Sequence, residues 1–444
     1  MSAAGSQRDT DPIRVSLYSG IYMRHDAVSD SLRHKLAILR RLVSMGAPLE
    51  VTVFTHASDD PGPELCPVAS VSALQRLERF WSTDVHLFEF GMHYDLFDSV
   101  YVIPEERPIV VFDHNTTPPA LVDLPEARAG CERALVQRHN LQRADRVVCV
   151  SEFTVELVRS VGVSQERISV LHLPPTCARA RRPSRARRPQ DVVRLLFVGR
   201  FVRAKGVGDL LEVCRSLWAP NREGRVPTVT LTMVGGRRFS DPAVIERIEG
   251  EQAALGAERL EVVWSPSNDE LASIYERSDA LVIPSFHEGY CVPVVEALWA
   301  GCQVLGYDAG NLPNVIGEVG QVVPTGDVEA LRAALWRIVE GLRGRDVVIP
   351  TTKGLLDPVT WERAVSAHLA DYSPSAFERG FLEVLEEVVS AAGVGAGARH
   401  RLRTVIAARR AELDGIDLRS GVASVPAPSP RASVVPELVR GVEP

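Results

Sequence analysis

Short strand-like runs alternate with helix-like segments twice along this chain, and this alternation limits the fold more than any other feature. The first series of runs lies at 13–20, 49–56, 84–91, 108–115, 146–151 and 168–174. The second series lies at 192–199, 228–235, 260–264, 280–285 and 303–308. Strands that alternate with helices are typical of parallel sheets covered on both faces. The sequence therefore predicts an α/β protein with two Rossmann-like domains.

Interruptions of this pattern predict the domain limits. The stretch CARARRPSRARRPQ is interpreted as a solvated linker, with a basic partner-binding patch as the alternative. The final residues are rich in proline and serine, which is typical of disorder. We expect a disordered leader at 1–12, a first domain at 13–176, the linker at 177–190, a second domain at 191–372, a helix at 373–392 and a helical, then disordered tail at 393–444.

The balance of charge and the use of cysteine exclude several classes of protein. The 444 residues carry a formal net charge of −7, whereas a surface that follows nucleic-acid phosphates usually needs an excess of basic groups. Seven scattered cysteines form no C-x-x-C pair, which is typical of a reducing compartment and predicts no zinc site. The start lacks an apolar signal segment, and no apolar run approaches the roughly 20 residues that span a bilayer. We therefore expect a cytoplasmic protein that does not bind nucleic acid.

Polar residues follow the first strand of the second series. The strand ends at Gly199, and the loop behind it carries Arg200 and Lys205 before a helix that begins near Val207. Ligands of open parallel sheets bind at the carboxyl ends of the strands. An arginine can bind a diphosphate through two parallel hydrogen bonds, and a lysine adds a mobile positive charge. The loop is thus a candidate diphosphate site, with a solvated basic turn as the alternative.

A second strand-to-helix junction, IPSFHEGYCVPVVEALWAG, carries two glutamates. Glu288 lies in the loop after the strand, and Glu296 lies about one turn inside the helix that begins around Pro293. The first amides of a helix are an anion site, and carboxylates accept hydrogen bonds from vicinal hydroxyl groups. The junction thus offers the groups that a nucleotide sugar requires. For Glu296 the alternative is a charge that complements the helix dipole.

The stretch from Leu195 to Gly326 resembles the donor domain of the family-four retaining glycosyltransferases of the GT-B fold. The resemblance rests on FVGRFVRAKG, on DELASIYERSDALVIPSFHEGYCVPVVEALWAGCQVLGYDAG and on NVIGEVGQVVPTGD. The first half matches more loosely, through RVVCVSEFTVELV and HNTTPP. The resemblance implies an acceptor domain and a donor domain whose parallel sheets face each other across a cleft. It also implies that the helix at 373–392 crosses back onto the first domain.

The resemblance implies a role for each candidate residue. Arg200 and Lys205 would neutralise the donor diphosphate, Glu288 would hold hydroxyls of the transferred sugar, and Glu296 would hold the ribose. Four backbone positions would line the sugar and phosphates together with Gly199: Gly289, Tyr290, Cys291 and Val292. His114 would face the donor sugar from the first domain, with a turn histidine bonded to local backbone as the alternative.

Three positions depart from the family pattern. Cys291 stands where a glycine is usual, and Ser265 falls near another such position. The first-domain loop after Tyr18 retains Gly20 as its one glycine candidate for a substrate contact. Three residues behind it are candidates on the acceptor side: Arg24, His25 and Asp26.

The predicted reaction moves a hexose from a nucleoside diphosphate sugar, a UDP-sugar or GDP-mannose, to an acceptor hydroxyl with retention. The one Asp-x-Asp pair, Asp9 and Asp11, lies in the expected leader, so neither a metal nor another cofactor is predicted. The arginine, the lysine and the helix dipole would balance the leaving charge. A nucleotide-sugar epimerase or phosphorylase and a non-catalytic nucleotide-sugar-binding module are the alternatives.

The helix predicted over 29–45 raises a further possibility. It carries four basic residues, Arg33, Lys35, Arg40 and Arg41, and an interfacial basic helix binds anionic membranes. A weak peripheral membrane contact is therefore one interpretation, and a solvated polar face is the other. The sequence does not predict an oligomeric state.

Overall fold

The computed structural model describes residues 11–60, 62–177, 191–219, 229–344 and 346–420. Most of the expected leader, nearly all of the expected linker and the tail beyond residue 420 lie outside these ranges.

A seven-stranded parallel sheet occupies the first half of the chain. Its strands run in the order β3-β2-β1-β4-β5-β6-β7. In chain order they are β1 Ile13–Tyr22, β2 Leu49–Ser58, β3 Leu65–Pro67, β4 Val85–Phe90, β5 Ile109–Asp113, β6 Arg146–Cys149 and β7 Ile168–Val170. Every residue of β4 and β5 is buried, as expected for parallel strands covered on both faces.

A six-stranded parallel sheet follows in the order β10-β9-β8-β11-β12-β13. Its strands are β8 Val193–Val198, β9 Val229–Gly235, β10 Leu260–Trp264, β11 Ala280–Ile283, β12 Gln303–Tyr307 and β13 Gln321–Val323. A hairpin of β14 Ile349–Thr351 and β15 Gly354–Leu356 lies beyond it. Each large sheet reverses its order at one place, between β1 and β4 and between β8 and β11. Such a reversal opens a crevice where ligands bind.

Helices connect the strands and cover the sheets. They are α1 Ala27–Ser44, α2 Val71–Leu74, α3 Glu78–Trp81, α4 Pro125–Gln137, α5 Glu152–Ser160, α6 Val207–Trp218, α7 Pro242–Leu255, α8 Asn268–Arg277, α9 Val292–Trp299, α10 Leu312–Ile316, α11 Val328–Arg343, α12 Pro358–His368, α13 Pro374–Ala391 and α14 Ala396–Ser420. The two parallel sheets and these helices confirm the predicted α/β class.

Several elements were absent from the sequence prediction. The strands β3 and β13 and the hairpin β14–β15 each have three-residue strands, which are too short to show a period of two. Helix α12 lies in the region where the helical pattern weakens. These are edge or peripheral elements, so their omission leaves the two predicted parallel sheets unchanged.

Helix α1 begins earlier than predicted. Its N-cap is Asp26, whose carboxylate accepts from the backbone amide of Ser29 at 2.8 Å and from the Ser29 hydroxyl at 2.7 Å. Ser29, where the predicted helix starts, and Asp30 lie within the helix instead. The Asp26 carboxylate accepts from an amide three residues later and so satisfies one of the unpaired donors at the start of the helix. The helix is therefore capped at Asp26.

The basic residues of α1 do not form a free cationic face. Each has an acidic partner within 4 Å: Arg33 contacts Asp30 and Asp60, Lys35 contacts Glu89, Arg40 contacts Glu64 and Arg41 contacts Glu378. Attraction to an anionic membrane requires uncompensated positive charge. The pairing removes the basis for the membrane interpretation of this helix.

The helices α13 and α14 pack on the first half of the molecule. Glu378 of α13 accepts two hydrogen bonds from Arg409 of α14, at 2.7 and 2.9 Å, and also contacts Arg41 of α1. The ring of Phe381 lies 6.1 Å from the ring of Phe112 on β5. The chain thus returns from the second sheet to the first and places α13 against α1.

The backbone is left-handed at two positions where this chain departs from the family pattern. Ser265 has φ +44° and Cys291 has φ +81°, a region that favours glycine. We expect Ser265→Gly to raise the free energy of unfolding by about 0.5–1 kcal/mol, because relief of strain exceeds the added entropy of the unfolded chain. Thermal unfolding measures the change, with Ser265→Ala as the matched control because it keeps the strain. A lower Tm for the glycine variant than for the alanine variant would contradict this account.

Candidate functional site

Lys205 and Glu288 meet at the place where the second sheet reverses its strand order. Lys205 follows β8, Glu288 follows β11, and the lysine Nζ lies 2.6 Å from Oε1 of the glutamate. The hydroxyl of Ser285 donates to the same oxygen at 2.8 Å. Burial alone would raise the pKa of Glu288, but Lys205 and Ser285 outweigh it, and the pKa lies below its ordinary value. The site therefore presents an ionised carboxylate beside a cation.

Close backbone packing sets the position of Lys205. Gly206 has φ +65°, and a Cβ at this residue would lie 1.8 Å from the carbonyl oxygen of Pro284. A side chain cannot be accommodated at that distance, so the turn after Lys205 requires glycine. This contact joins the loop after β8 to the loop after β11, and it brings the lysine beside Glu288.

The backbone of Glu288 is held in a similar way. Its carbonyl accepts from the amide of Asn311 at 2.8 Å, and a Cβ on Gly310 would lie 2.2 Å from that carbonyl oxygen. The loop then enters α9 through Cys291, whose carbonyl accepts from the amide of Val294 at 3.1 Å. The amide of Val294, one of the first amides of the helix and so part of the predicted anion site, is therefore already bonded within the helix start. The predicted contacts of Gly289 and Val292 with a ligand stay predictions.

The side chain of Tyr290 has a structural partner. Its hydroxyl donates to the carbonyl of Leu173 at 2.5 Å, and the side chain is buried. Leu173 lies just before the segment that leaves the first half of the chain. The phenol thus ties the donor-side loop to that segment, while the predicted role of the Tyr290 amide stays a prediction.

Glu296 is occupied by protein donors. Its Oε1 accepts from the backbone amides of Thr176 and Cys177, at 3.0 and 3.2 Å, and its Oε2 accepts from the Tyr275 hydroxyl at 2.9 Å. Burial raises the pKa of this carboxyl, and the hydrogen bonds only partly offset burial. The predicted ribose contact stays a prediction, and the structure adds that this carboxylate already anchors residues 176–177.

Arg200 lies near α4 of the first half of the molecule. Its side chain is exposed and close enough to Cys131 of α4 to influence the pKa of that thiol. The preceding residue, Gly199, donates to the carbonyl of Val234, and its own carbonyl oxygen would lie 2.8 Å from a Cβ on Gly235. Arg200 therefore faces the first half of the molecule, and its predicted contact with a diphosphate stays a prediction.

His114 lies at the carboxyl end of β5 and is bonded to a carboxylate. Its Nε2 lies 2.6 Å from Oε2 of Glu89, and Oε1 of the same carboxylate receives Lys35 Nζ at 2.7 Å. The alternative of a ring bonded to local backbone is therefore wrong. The carbonyl oxygen of His114 would lie 2.9 Å from a Cβ on Gly289, so this residue borders the loop that carries Glu288.

Contacts between the two halves that the sequence did not predict surround this loop. The Asn115 amide donates to Nε2 of His287 at 2.7 Å, and the Ser151 hydroxyl donates to the carbonyl of Gly289 at 2.6 Å. Burial lowers the pKa of His287 to about 4, so the ring is neutral and accepts at neutral pH. Asn115 has φ +68°, and its Cβ would lie 2.6 Å from a Cβ on Gly289. The cleft is closed at this point.

The candidates in and after β1 contribute unevenly, and Gly20 lies within this strand rather than in the predicted loop. Gly20 allows close approach, because a Cβ there would lie 2.8 Å from the Cβ of Tyr94. Asp26 is committed to capping α1. The amide of Arg24 donates to Asp59, and His25 has φ +60°. Gly20 is thus explained by packing, and its contact with substrate stays a prediction.

The described ranges of the chain contain no candidate metal centre and no candidate membrane span. Among these residues, no three His, Cys, Asp or Glu side chains come together in a way that could hold a metal ion. Within the same ranges, none of the helices has the length and apolarity needed to traverse a bilayer.

Comparison with known families gives two matches. Residues 33–174 match the model described as Glycosyltransferase Family 4, and residues 179–349 match the model described as Glycosyl transferases group 1. Together the matches cover more than half of the chain, and each contains one of the two parallel sheets for the most part.

Characterised relatives match over part of their length. The chain is 30% identical over 213 residues to a D-inositol 3-phosphate glycosyltransferase of Streptomyces bingchenggensis, covering 46% of each chain. It is 30% identical over 250 residues to a 2-deoxystreptamine N-acetyl-D-glucosaminyltransferase of Streptomyces fradiae, covering 52% of this chain and 57% of the relative. The chain thus spans about half the length of the curated relatives that it matches.

Solved structures share the whole architecture. Sucrose-phosphate synthase from Thermosynechococcus elongatus superposes with a TM-score of 0.58 at 19% identity, covering 93% of this chain and 100% of that one. Anabaena HepE in complex with UDP-glucose superposes with a TM-score of 0.59 at 14% identity, covering 84% and 100%. At these identities the likeness establishes the fold, which is the predicted arrangement of two Rossmann-like halves.

Proposed function

The chain belongs to the glycosyltransferases of the GT-B fold, with a Family 4 region followed by a group 1 region. From this premise we propose that it transfers a hexose from a nucleoside diphosphate sugar to an acceptor hydroxyl with retention. The observation that carries the proposal is the Lys205–Glu288 pair. It lies at the strand-order reversal between β8 and β11, where nucleotides bind in such sheets.

The charges at this pair match the needs of a nucleotide sugar. The ammonium of Lys205 can donate to a diphosphate while it keeps its bond to Glu288, because it has three N–H donors. Arg200 supplies a second cation at the edge of the site, and α9 adds the positive end of its dipole. These groups support departure of a nucleoside diphosphate without a divalent metal.

The proposed reaction breaks the bond between the anomeric carbon and the diphosphate oxygen. The acceptor oxygen attacks the same face of the sugar, and its proton passes to the departing diphosphate oxygen. This route needs no protein nucleophile, and Glu288, whose Oε1 is bonded to Lys205 and Ser285, would hold sugar hydroxyls instead. The direct contacts of Asn115 and Ser151 with the opposite loop would exclude water from the reacting centre.

The proposed donor is a UDP-hexose, with GDP-mannose as the other candidate. Anabaena HepE, which shares the fold, binds UDP-glucose. Two relatives are named for transfer to D-inositol 3-phosphate and to 2-deoxystreptamine, which suggests ring polyols as first acceptors to test. Seven free cysteines support the proposal of a reducing compartment such as the cytoplasm.

Donor binding followed by transfer tests the proposal. In a thermal-shift screen of UDP- and GDP-linked hexoses, at least one donor is expected to raise the Tm, because a ligand of the native state stabilises it by mass action. That donor is then incubated with the polyol acceptors, and NMR of the product reports the anomeric configuration. Retained configuration is expected. An inverted product would contradict the retaining mechanism.

Two controls separate the alternatives. Incubation with donor alone tests the epimerase, and rapid isomerisation of the sugar without acceptor would overturn the transferase proposal. Glu288→Ala tests the site, since it removes the carboxylate that holds the sugar. Donor binding without any turnover across the acceptor panel would favour the non-catalytic module.

A further inference from the structure

A buried charged cluster lies directly behind His114. Lys35 of α1 and Glu89 of β4 form an ion pair with a 2.7 Å separation, and their side chains are 0% and 1% exposed. The hydroxyl of Ser31 accepts from Lys35 at 2.5 Å, and the ammonium lies 3.8 Å from the centre of the Phe112 ring. Burial of two charges is costly, so their retention here invites a functional explanation.

The hydrogen bonds define which groups donate. An ionised carboxylate can only accept, so Oε1 accepts from Lys35, and Oε2 accepts from His114 and, at 3.4 Å, from the Ser31 hydroxyl. Burial would raise the pKa of Glu89, but Lys35 and His114 outweigh burial and lower it, which keeps the carboxylate ionised. It follows that the proton on the His114 ring that faces Glu89 resides on Nε2.

We propose that Glu89 is a positioning residue that fixes His114 as its Nε2–H tautomer, and that Lys35 keeps the carboxylate oriented for this task. The inference rests on the proposed function, since His114 borders the loop of Glu288 and is the side chain expected to face the donor sugar. In the neutral ring, Nδ1 is then the accepting nitrogen that a sugar hydroxyl would meet. A ring in the other tautomer would present a donor instead.

The cluster joins elements that are distant in sequence. Helix α1 supplies Lys35, β4 supplies Glu89, and α13 closes over the cluster with Phe377, whose ring centre lies 5.9 Å from the lysine Nζ. Because packing and hydrogen bonds fix Glu89, it can hold the His114 ring within the narrow limits of position and orientation that sugar transfer requires. The first half of the molecule would thereby set the geometry of His114.

Three substitutions separate the positioning role from simple stability. In Glu89→Gln, Lys35 still donates to the amide oxygen, so the NH₂ group of the glutamine faces His114 Nε2. Because an NH₂ group donates, Nε2 must then accept. The ring is therefore expected to switch to the Nδ1–H tautomer. In the double variant Lys35→Met/Glu89→Gln, the amide is free to turn its oxygen towards His114, and the Nε2–H tautomer is expected to return. The double variant Lys35→Met/Glu89→Leu removes charge and acceptor together, and a mixture of tautomers is expected.

The readout is long-range ¹H–¹⁵N correlation of the full chain labelled at histidine, at about pH 8, where an ordinary imidazole is neutral. Loss of signals in His114→Gln identifies the resonances of His114. Alongside, kcat is expected to fall about 10–100-fold in Glu89→Gln and in the leucine double variant, and to recover in the glutamine double variant. The affinity for the nucleoside diphosphate should change less than about threefold, because the other half of the molecule binds it.

A second ion pair, between α13 and α14, supplies the matched control. The double variant Arg409→Met/Glu378→Gln removes another buried pair and should leave the tautomer of His114 unchanged. An Nδ1–H ring or an imidazolium in the wild-type protein would overturn the proposal, and so would an unchanged tautomer in all three variants. The tautomer needs no turnover to be measured. A tautomer that follows the variants in a chain without transferase activity would therefore overturn the proposed function and leave the role of Glu89 supported.

Discussion

Replacement of Lys205 with methionine is expected to lower kcat for sugar transfer by about 10²–10³-fold, the loss typical of removing one preorganised group from a developing negative charge. Lys205 is the cation bonded to Glu288 at the reversal of the second sheet. The departing diphosphate gains negative charge as the sugar bond breaks, so loss of the ammonium should affect the transition state more than the bound donor. Steady-state transfer kinetics with the donor found by thermal shift measure the change.

The matched control is Lys353→Met, which removes a side chain that is 63% exposed and paired with Glu318 on the surface. It should change kcat less than about threefold. Combined with Glu288→Gln, Lys205→Met is expected to cost less than the sum of the single effects, because the two residues act as one unit. A folded Lys205→Met protein with a kcat within about threefold of wild type would contradict the site assignment.

Replacement of Arg409 with methionine is expected to lower the free energy of unfolding by about 3–5 kcal/mol. Arg409 donates two hydrogen bonds to Glu378, and both side chains are 8% exposed. Hydrogen bonds from Arg409 to Glu378 and Glu412 raise the pKa of Arg409 above its ordinary value, so the guanidinium is charged throughout the accessible pH range. Removal of the guanidinium leaves Glu378 with Arg41, which is half exposed, as its remaining cation.

Urea unfolding of the full chain, followed by fluorescence, measures this loss. Arg410→Met is the matched control, since Arg410 lies next in sequence and pairs with Glu386 at 33% exposure. Exposed pairs contribute less than about 1 kcal/mol, so the control should remain near wild type. Equal destabilisation by the two variants would show that the Glu378–Arg409 pair has no special role.

The sequence predicts those parts of the site that follow from strand ends. Lys205 and Glu288 are 83 residues apart, but each follows a central strand of the same sheet, and parallel strands bring their carboxyl ends to one edge. These predictions succeed because hydrophobic period and loop polarity are local properties of the chain.

Partners that depend on the packing of two halves could not be predicted. Asn115 and His287 are 172 residues apart, and no local pattern couples them. Lys35 lies among the polar residues of α1, where a lysine usually faces solvent, and its burial against Glu89 appears only when α1 packs on β4. The sequence offered two signals of this pair. Lys35 lies near the buried stripe of a helix, and Glu89 lies inside an apolar strand.

Glu296 shows how a motif residue can have partners that its motif does not predict. The resemblance assigns the carboxylate to a ribose, whereas the folded chain gives it the amides of Thr176 and Cys177 and the phenol of Tyr275. Whether those two amides reach Glu296 depends on the path of the chain as it leaves the first sheet. Motif spacing contains no information about that path.

The anchoring of residues 176–177 has a thermodynamic consequence. A nucleotide whose ribose takes the oxygens of Glu296 competes with the stretch of backbone that leads out of the first sheet. The measured affinity of that nucleotide then includes the free energy needed to break the hydrogen bonds between Glu296 and residues 176–177. By reciprocity, the bound nucleotide weakens the binding of Glu296 to these residues, which lead from the first half of the molecule towards the second. Donor occupancy and the freedom of the two halves to separate would thus be linked through a single carboxylate.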